Sequence, residues 1–231
     1  LNQIAGNTNT NPTYLLNDML IIPQGADAFI GDVLGGSTSI LANEPSYQRV
    51  QRIEERRNRL TQNNLIISSG INFFSSSKQG IFDRAFTQFR ANLSWSGNLL
   101  EGLAKALDWK QENGQYLLFE VPFSQFIKLE TDLVKHWSVS DNQVVAIRAF
   151  AGAAIAYGNA DNIPFNRSFF GGGAYDNRAW EVYRLGPGSS DTGNEFNEAN
   201  LKMSFNVEYR FDLLGAFKGA LFVDAVNIWK V

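Results

Sequence analysis

A glycine-rich segment with one arginine is the part of the chain best suited to a specific polar contact. Arg178 follows three consecutive glycines, Gly171, Gly172 and Gly173, and stands two residues before Trp180. Glycine tolerates positive φ and close backbone approach, so this segment can fold back on itself in a sharp turn. A guanidinium presents a planar fork of donors that matches a carboxylate. We therefore expect a loop that carries Arg178 into a confined polar space, where a carboxylate anchors it.

Paired acidic residues and the histidine do not indicate catalysis. Glu130 and Asp132 share one face of a predicted strand, as catalytic carboxylates do in glycosidases, but the neighbouring Lys128 favours an ordinary polar wall. His136, the only histidine, is not part of a Ser/Asp cluster or of a metal-ligand cluster in the sequence. The three glycines lack the lysine and the spacing of phosphate-binding loops. We expect a protein that is not an enzyme and that binds no metal and no cofactor.

The composition is typical of a β-rich chain. Its 231 residues include 18 phenylalanines, 7 tyrosines and 5 tryptophans, and 19% of them are charged. Mean hydropathy is −0.19, and no apolar run approaches the roughly 18 residues of a membrane-spanning helix. A net charge of −3 gives no sign of nucleic-acid binding. Because the chain has no cysteine, it forms no disulfide and no thiolate metal site.

Several predicted β-strands must position the arginine loop. Apolar and polar residues alternate without exception over residues 201–211, and a period of two predicts a strand. The predicted strands are 86–95, 127–133, 144–157, 201–211 and 217–229. Arg148 is the one charged residue in the third of them. A soluble β-sandwich and a membrane β-barrel both show such alternation, so periodicity leaves both architectures open.

The connections between the strands favour the barrel. Short connections are predicted between residues 74 and 82, 137 and 144, and 213 and 217. Long ones are predicted between residues 33 and 65, 95 and 123, and 157 and 201. If the strands run up and down, every long connection lies at the same end, as in outer-membrane barrels. Aromatic residues near the strand ends would form interfacial girdles; they are Trp95, Trp137, Tyr157 and Trp229.

Four segments lie outside this pattern. Residues 1–16 are predicted to form a loop and residues 18–33 a strand. Residues 44–60 are predicted to form a charged helix with Pro45 in its first turn. Acidic residues interrupt its arginines, which favours a solvated helix over one that binds RNA or anionic lipid. Residues 98–109 are predicted to form a short amphipathic helix inside one of the long connections.

Two short motifs in the last third of the chain carry a family resemblance. The first, Asn-Arg-Ala-Trp at residues 177–180, follows the three glycines, and the second is Phe-Val-Asp-Ala-Val at residues 222–226. Together they resemble the Val-Arg-Gly-Phe/Tyr loop and the Phe-x-Asp-x-Gly strand of the BamA/TamA superfamily of outer-membrane assembly and two-partner secretion proteins. The Bacteroidetes TamL-like branch, of bacterial surface antigen type, looks closest. Ala179 and Val226 replace glycines of the family pattern.

The resemblance implies an all-β fold, the C-terminal part of a sixteen-stranded antiparallel transmembrane β-barrel with long extracellular loops. Residues 1–231 would form a partial outer-membrane barrel domain that lacks the POTRA domains, the early strands and the last strands. Residues 158–198 would be a long loop that folds into the lumen. The chain also opens without a signal peptide and stops directly after a strand-like run, so we expect an interior fragment of a longer protein.

The resemblance also implies a latch, in which Asp224 receives Arg178 inside the barrel. The glycines and Trp180 belong to the latch loop, and Glu208, Arg210 and Arg148 are further candidates for a polar lumen network. Without the resemblance, Arg178 reads as an exposed loop arginine and Asp224 as a residue that faces water.

The implied function is insertion of outer-membrane proteins, or their translocation into or across the bacterial outer membrane. The implied partners are the outer-membrane bilayer and unfolded outer-membrane clients, with accessory lipoproteins as further candidates and no nucleic acid. A two-partner-secretion pore, a passive porin and a surface β-sandwich binding module are the alternatives.

Overall fold

A computed structural model describes residues 1–7, 14–17, 19–188 and 197–230. The chain divides into two compact units, Leu1–Gln62 and Asn63–Val231. The helices are α1 (Asn2–Asn7), α2 (Gln24–Leu34), α3 (Pro45–Thr61) and α4 (Asn98–Ala106), and a 3₁₀ turn spans Phe165–Arg167. The strands are β1 (Leu15–Leu16), β2 (Met19–Leu20), β3 (Ser68–Ser76), β4 (Phe86–Ser96), β5 (Gln111–Glu112), β6 (Gln115–Leu118), β7 (Val121–Pro122), β8 (Phe126–Ser140), β9 (Gln143–Ala156), β10 (Leu201–Asp212) and β11 (Lys218–Trp229). Across the described ranges, no helix is long and apolar enough to span a membrane.

The first unit is helical and has its own apolar core. Phe29 and Val33 of α2 are fully buried, and so is Val50 of α3. Phe29 and Val33 are four residues apart, so both lie on one face of a helix. The charged helix predicted over residues 44–60 is confirmed as α3, with Pro45 in its first turn, where the missing amide hydrogen costs no helical hydrogen bond.

Two predictions for the first unit are wrong. The strand predicted over residues 18–33 is a helix from Gln24 onward, because its buried residues follow helical spacing around the core rather than alternation. Residue 18 itself lies outside the described residues. The loop predicted over residues 1–16 contains the helix α1 and the strand β1, while its residues 8–13 also lie outside the described part.

The second unit is built on a six-stranded antiparallel sheet with the order β11-β10-β9-β8-β4-β3, and this sheet is not closed. The five predicted strands are confirmed as β4, β8, β9, β10 and β11, and β3 adds a sixth at the edge. The protein is therefore mostly β with antiparallel sheets.

One register rule holds across the whole sheet. Asn206 pairs with Arg148 on one side and with Asp224 on the other, and each of the five strand pairings joins even to even and odd to odd numbers until a bulge at Ser138/Ser140. Because neighbouring side chains point to opposite faces, all even-numbered residues share one face. We call it the polar face, and the odd-numbered side the apolar face. The apolar face is exposed, with Leu221 at 66% of its maximal accessibility.

In the second unit the connections alternate in length, as predicted, whereas the connection predicted between residues 33 and 65 follows a helix rather than a strand. Residues 77–85, 141–142 and 213–217 form short turns at one end of the sheet, which we call the short-turn end. Residues 97–125 and 157–200 form long connections at the other end.

A buried glutamine fastens the first long connection to the second. Gln125 is 1% exposed, and its Nε2 donates to Oδ1 of Asn98 at 3.2 Å and to Oε2 of Glu101 at 2.5 Å. Its Oε1 accepts the backbone amide of Asn159 at 2.8 Å, so one side chain joins both long connections. The predicted helix over residues 98–109 is confirmed as α4, which ends earlier, at Ala106.

We expect the packing of α4 to weaken in acid. Hydrogen bonds from Lys105, and then from Gln125, lower the pKa of Glu101 below its ordinary value. A lowered carboxyl pKa adds stability above the unfolded-state pKa, and this stability is lost as pH falls through the folded-state pKa. Glu101→Gln should remove this acid dependence at a cost of about 1 kcal/mol or less at neutral pH. Hydrogen exchange of the α4 amides between pH 7 and pH 3 measures both effects, and an unchanged pH profile in Glu101→Gln would contradict them.

Candidate functional site

The described parts of the connection between β9 and β10, residues 157–188 and 197–200, fold back over the polar face. Phe169 is 5% exposed and packs on Gly152 of β9. A Cβ atom at Gly152 would lie 2.5 Å from the Phe169 ring, so only glycine leaves room for this approach. The ammonium of Lys128 lies 4.3 Å from the centre of the same ring. The connection is therefore docked on the sheet before it reaches the arginine.

The predicted glycine turn lies at the tip of this docked segment. Gly172 and Gly173 have φ of +102° and +99°, a region that disfavours other residues. The backbone amide of Gly172 donates to Oδ2 of Asp176 at 3.0 Å, and Gly173 forms a β-bridge with Asn177. Gly171 has no positive φ, but a Cβ there would lie 2.7 Å from a methyl group of Leu185. The turn therefore places the next residue, Arg178, against the sheet.

Arg178 makes a forked contact with Asp224 of β11. Its Nε donates to Oδ2 at 2.9 Å and its Nη2 donates to Oδ1 at 2.8 Å. Its backbone amide donates to the same Oδ2 at 3.2 Å. The Asp224 side chain is 4% exposed and the Arg178 side chain 29% exposed. Two parallel charge-assisted hydrogen bonds to a nearly buried carboxylate fix both the position and the orientation of the loop.

The rest of the guanidinium is also engaged. Its Nη1 donates to Oε2 of Glu208 at 2.7 Å, and its central carbon lies 3.5 Å from the centre of the Phe222 ring. Arg210 donates from Nε to the other oxygen of Glu208 at 2.6 Å. Two cations and two carboxylates thus balance in one cluster. The hydrogen bond to Asp224, followed by that to Glu208, raises the pKa of Arg178 above its ordinary value, so the arginine stays charged.

Further contacts hold the same loop to neighbouring strands. Lys202 of β10 donates from Nζ to Oδ2 of Asp176 and to the carbonyl of Phe170, each at 2.8 Å. Arg148 of β9 pairs in a forked manner with Asp132 and donates from Nη1 to the carbonyl of Tyr175 at 2.9 Å. The loop is therefore attached to β9, β10 and β11 together.

The structure thus brings together most residues named from the sequence. Arg178, Asp224, Glu208 and Arg210 form one cluster, whereas Arg148 joins the loop separately through Asp132 and Tyr175. The Trp180 side chain is 48% exposed, and that residue contributes its carbonyl to the amide of Gly173 at 2.8 Å.

The two departures from the family pattern are accommodated. Ala179 is absent from the residues with positive φ, so the backbone at this position does not require glycine. Val226 lies on the polar face and pairs with Ser204 of β10 in the regular register.

Sequence reasoning assigned no role in the site to four participants, Lys202, Asp176, Asn206 and Phe222. Lys202, Asn206 and Phe222 share even numbers with Glu208 and Asp224, so the register rule could have placed them on the same face. Asp176 lies in the loop and gave no such signal. Asn206 is central, since its Nδ2 donates to Oδ1 of Asp224 at 3.0 Å and to the carbonyl of Asp176 at 2.6 Å.

We expect Asn206→Asp to loosen the loop. The substitution keeps the shape but replaces two donated hydrogen bonds with a negative charge beside Asp224, which should cost about 2–3 kcal/mol of docking free energy. Protease sensitivity of residues 157–200 in the folded protein measures the loss. Asn72→Asp, on the same face but in the exposed strand β3, is the matched control and should leave cleavage unchanged. Equal cleavage of the two variants would contradict the role of Asn206.

The cluster has the chemistry of a tether. Within the described ranges, no group of three or more His, Cys, Asp or Glu residues could hold a metal ion. The charged groups of the cluster are all paired with one another, so the arrangement holds two parts of the chain together.

Comparison with known protein families agrees with the mostly β fold of the second unit. Residues 37–231 match the Omp85 superfamily domain, and this range contains the six-stranded sheet and the arginine loop. No curated protein matches the chain. The BamA/TamA resemblance fits this match at the level of the superfamily. Omp85 proteins are non-enzymatic assembly and translocation proteins of the bacterial outer membrane, where they act in the bilayer on client proteins. Because the match covers most of its length, the chain belongs to the Omp85 superfamily.

Proposed function

We propose that this protein inserts client β-barrel proteins into the outer membrane, or translocates proteins across it, with the Arg178–Asp224 contact as a latch. The main support for this proposal is the forked contact between Arg178, which follows the glycine turn, and the Asp224 side chain, which is only 4% exposed. Such a contact fixes the loop in one position. A loop fixed over the polar face determines which part of that face stays accessible.

The sheet supports a place in the bilayer. Its strands β8 to β11 have 12 to 15 residues, which exceeds the roughly 9–11 residues that a tilted strand needs to cross the hydrocarbon region. Most odd-numbered side chains are apolar, and large ones such as Leu129, Phe205 and Leu221 are exposed, which suits contact with lipid. A β-sandwich would bury these residues in a shared core instead. The polar face then lines the lumen.

The remaining architecture is inferred from the family resemblance. We propose that the sheet is part of a sixteen-stranded barrel, that residues 1–231 belong to one partial barrel domain, and that residues 158–198 fold into the lumen. In this layout β9, β10 and β11 are the eleventh, twelfth and thirteenth strands, and we propose that the protein is of the TamL-like, surface-antigen type. Accessory lipoproteins are candidate partners of the whole protein.

The mechanism proposed for insertion is strand exchange at an exposed sheet edge. An unpaired edge presents amide and carbonyl groups that a client strand can satisfy. The latch would keep the loop docked in the lumen, and the barrel in its insertion-competent state, while this exchange proceeds at the barrel seam. Translocation of a dedicated partner through the lumen is the alternative within the family.

Reconstitution tests the proposal. The full-length protein in liposomes should accelerate folding of a urea-unfolded outer-membrane barrel client, measured by its heat-modifiable migration on gels, and Arg178→Ala should reduce the acceleration. Lys218→Ala, an exposed lysine at the short-turn end, is the matched control and should retain it. Folding no faster than in empty liposomes would overturn insertion. Transport of a partner protein into such liposomes would instead favour translocation.

A further inference from the structure

One lysine interrupts the apolar face. Among the described odd-numbered residues of β3, β4 and β8 to β11, Lys135 is the only charged residue. It lies in β8 between Leu133 and Trp137, which are 41% and 40% exposed. Every other charged residue of these strands has an even number and lies on the polar face. A charge on a face that otherwise suits lipid is costly unless it meets a polar partner.

Within the described part of the chain, no carboxylate pairs with Lys135. Its ammonium instead lies 4.8 Å from the centre of the Trp137 ring. Lys128 of the same strand, by contrast, faces the polar side and pairs with Glu130 at 3.0 Å. The cation–π contact orients the lysine toward the short-turn end, but it supplies no anion.

The neighbouring strands place one polar side chain and one apolar side chain beside Lys135. Thr87 of β4 stands directly opposite Lys135, and Ile147 of β9 stands on the other side. Side chains in such opposed positions have Cβ atoms about 4.5–5.5 Å apart. The ammonium of Lys135, the hydroxyl of Thr87 and the indole N–H of Trp137 are therefore three donors on one small area of the apolar face.

The position of these donors along β8 matches a membrane interface. Trp95 marks the opposite end of the sheet, where it pairs with Ile127. From Ile127 to Trp137 the strand advances ten residues, about 33 Å at about 3.3 Å per residue. With a strand tilt of about 40° this is about 25 Å along the membrane normal, the height of the apolar band of such barrels. Lys135 thus lies just inside the boundary that Trp137 marks, within reach of the headgroups.

We propose that Lys135, Thr87 and Trp137 form a binding site for the phosphate of a phospholipid headgroup at the short-turn end of the barrel. This inference rests on the proposed membrane function, because it requires the apolar face to contact lipid. The phosphate supplies the anion that the described residues do not, and the three donors match its oxygens. The site holds one lipid against the outer wall at the junction of β4, β8 and β9.

The test measures lipid binding by the folded protein. The full-length protein is purified in detergent, titrated with phosphatidylglycerol and examined by native mass spectrometry. We expect Lys135→Gln to weaken binding of the tightest lipid about fivefold, since one lysine near an anionic surface contributes about that factor. Lys135→Arg should retain most of the binding. Lys218→Gln, at the same end of the sheet but on the polar face and 75% exposed, is the matched control and should bind within twofold of the parent.

The outcomes separate this site from the function on which it rests. Equal binding by the parent and Lys135→Gln overturns the site, as does an equal loss in Lys218→Gln, which would reveal unspecific attraction. If the site fails while the parent protein still accelerates client folding in liposomes, the proposed function stands alone. If the parent does not partition into liposomes at all, the membrane function fails, and the site fails with it. Heat-modifiable migration of each variant verifies that it is folded.

Discussion

Arg178→Ala is expected to undock the loop over residues 157–200 and to cost about 3–5 kcal/mol of folding free energy, because it leaves the nearly buried Asp224 carboxylate without its charged partner. Asn206 remains as a neutral donor to that carboxylate, but one amide does not replace two charge-assisted bonds. Glu208 is less affected, because it keeps its hydrogen bond from Arg210. Urea unfolding of the folded protein in detergent measures the loss, and protease cleavage of the loop locates it.

A double-mutant cycle separates the contact from its surroundings. Asp224→Ala should also destabilise the loop, and the double variant should be less destabilised than the sum of the single ones by about 2–3 kcal/mol. Lys218 and Asp212 provide the matched control, since their exposed ion pair of 3.4 Å should couple by about 1 kcal/mol or less. Additive losses for Arg178 and Asp224 would show that the two residues act independently and would remove the latch from the proposed mechanism.

Gly172→Ala is expected to disrupt the glycine turn itself. At this position φ is +102°, and a Cβ atom would lie 2.2 Å from the carbonyl oxygen of Glu181, which is backbone and cannot move aside alone. The strain and the clash together should cost about 3 kcal/mol. The loop should then lose both the amide contact to Asp176 and the placement of Arg178. Unfolding free energy and client folding rate should fall together.

Two other glycines provide comparison sites for the Gly172→Ala substitution. Gly80 lies in a short turn with nothing within 4 Å of an added Cβ, so Gly80→Ala should change stability by about 0.5 kcal/mol or less. Gly173 has φ of +99°, but its nearest atom is a valine methyl group at 3.0 Å, so Gly173→Ala should be intermediate. A Gly172→Ala protein as stable as Gly80→Ala would show that the turn tolerates a side chain and that its geometry does not position the arginine.

The strands of the second unit could be predicted because their two faces meet different surroundings. The alternation of apolar and polar residues over 201–211 shows directly which side chains share a face. The observed strand β10 matches these bounds within one residue. Arg178 could be singled out because it closely follows three consecutive glycines and precedes an aromatic residue, a context that suits a turn presenting one guanidinium. Its partner, Asp224, could be named only through the family resemblance, because no local pattern joins residues that are 46 positions apart.

Other features depend on packing that a linear pattern does not contain. The helix α2 was mistaken for a strand because Ala28, Phe29 and Ile30 form a short apolar run, which suits either structure until the core decides. Phe169 of the loop packs closely on β9 because Gly152 has no side chain, and no sequence pattern marks this contact. The pair of Lys202 and Asp176 likewise appears only when the loop is docked on β10.

The even–odd register of the sheet limits how the gene for this protein can change. Deleting one codon of β9 before residue 148 would exchange the two faces of every later residue in that strand, so that Arg148 would leave Asp132 and enter the apolar face. A change of two codons keeps the sidedness, and a change in the turn at residues 213–217 leaves every pairing intact. Length variation among natural versions of this chain should therefore collect in the connections, while the strands vary by substitution alone.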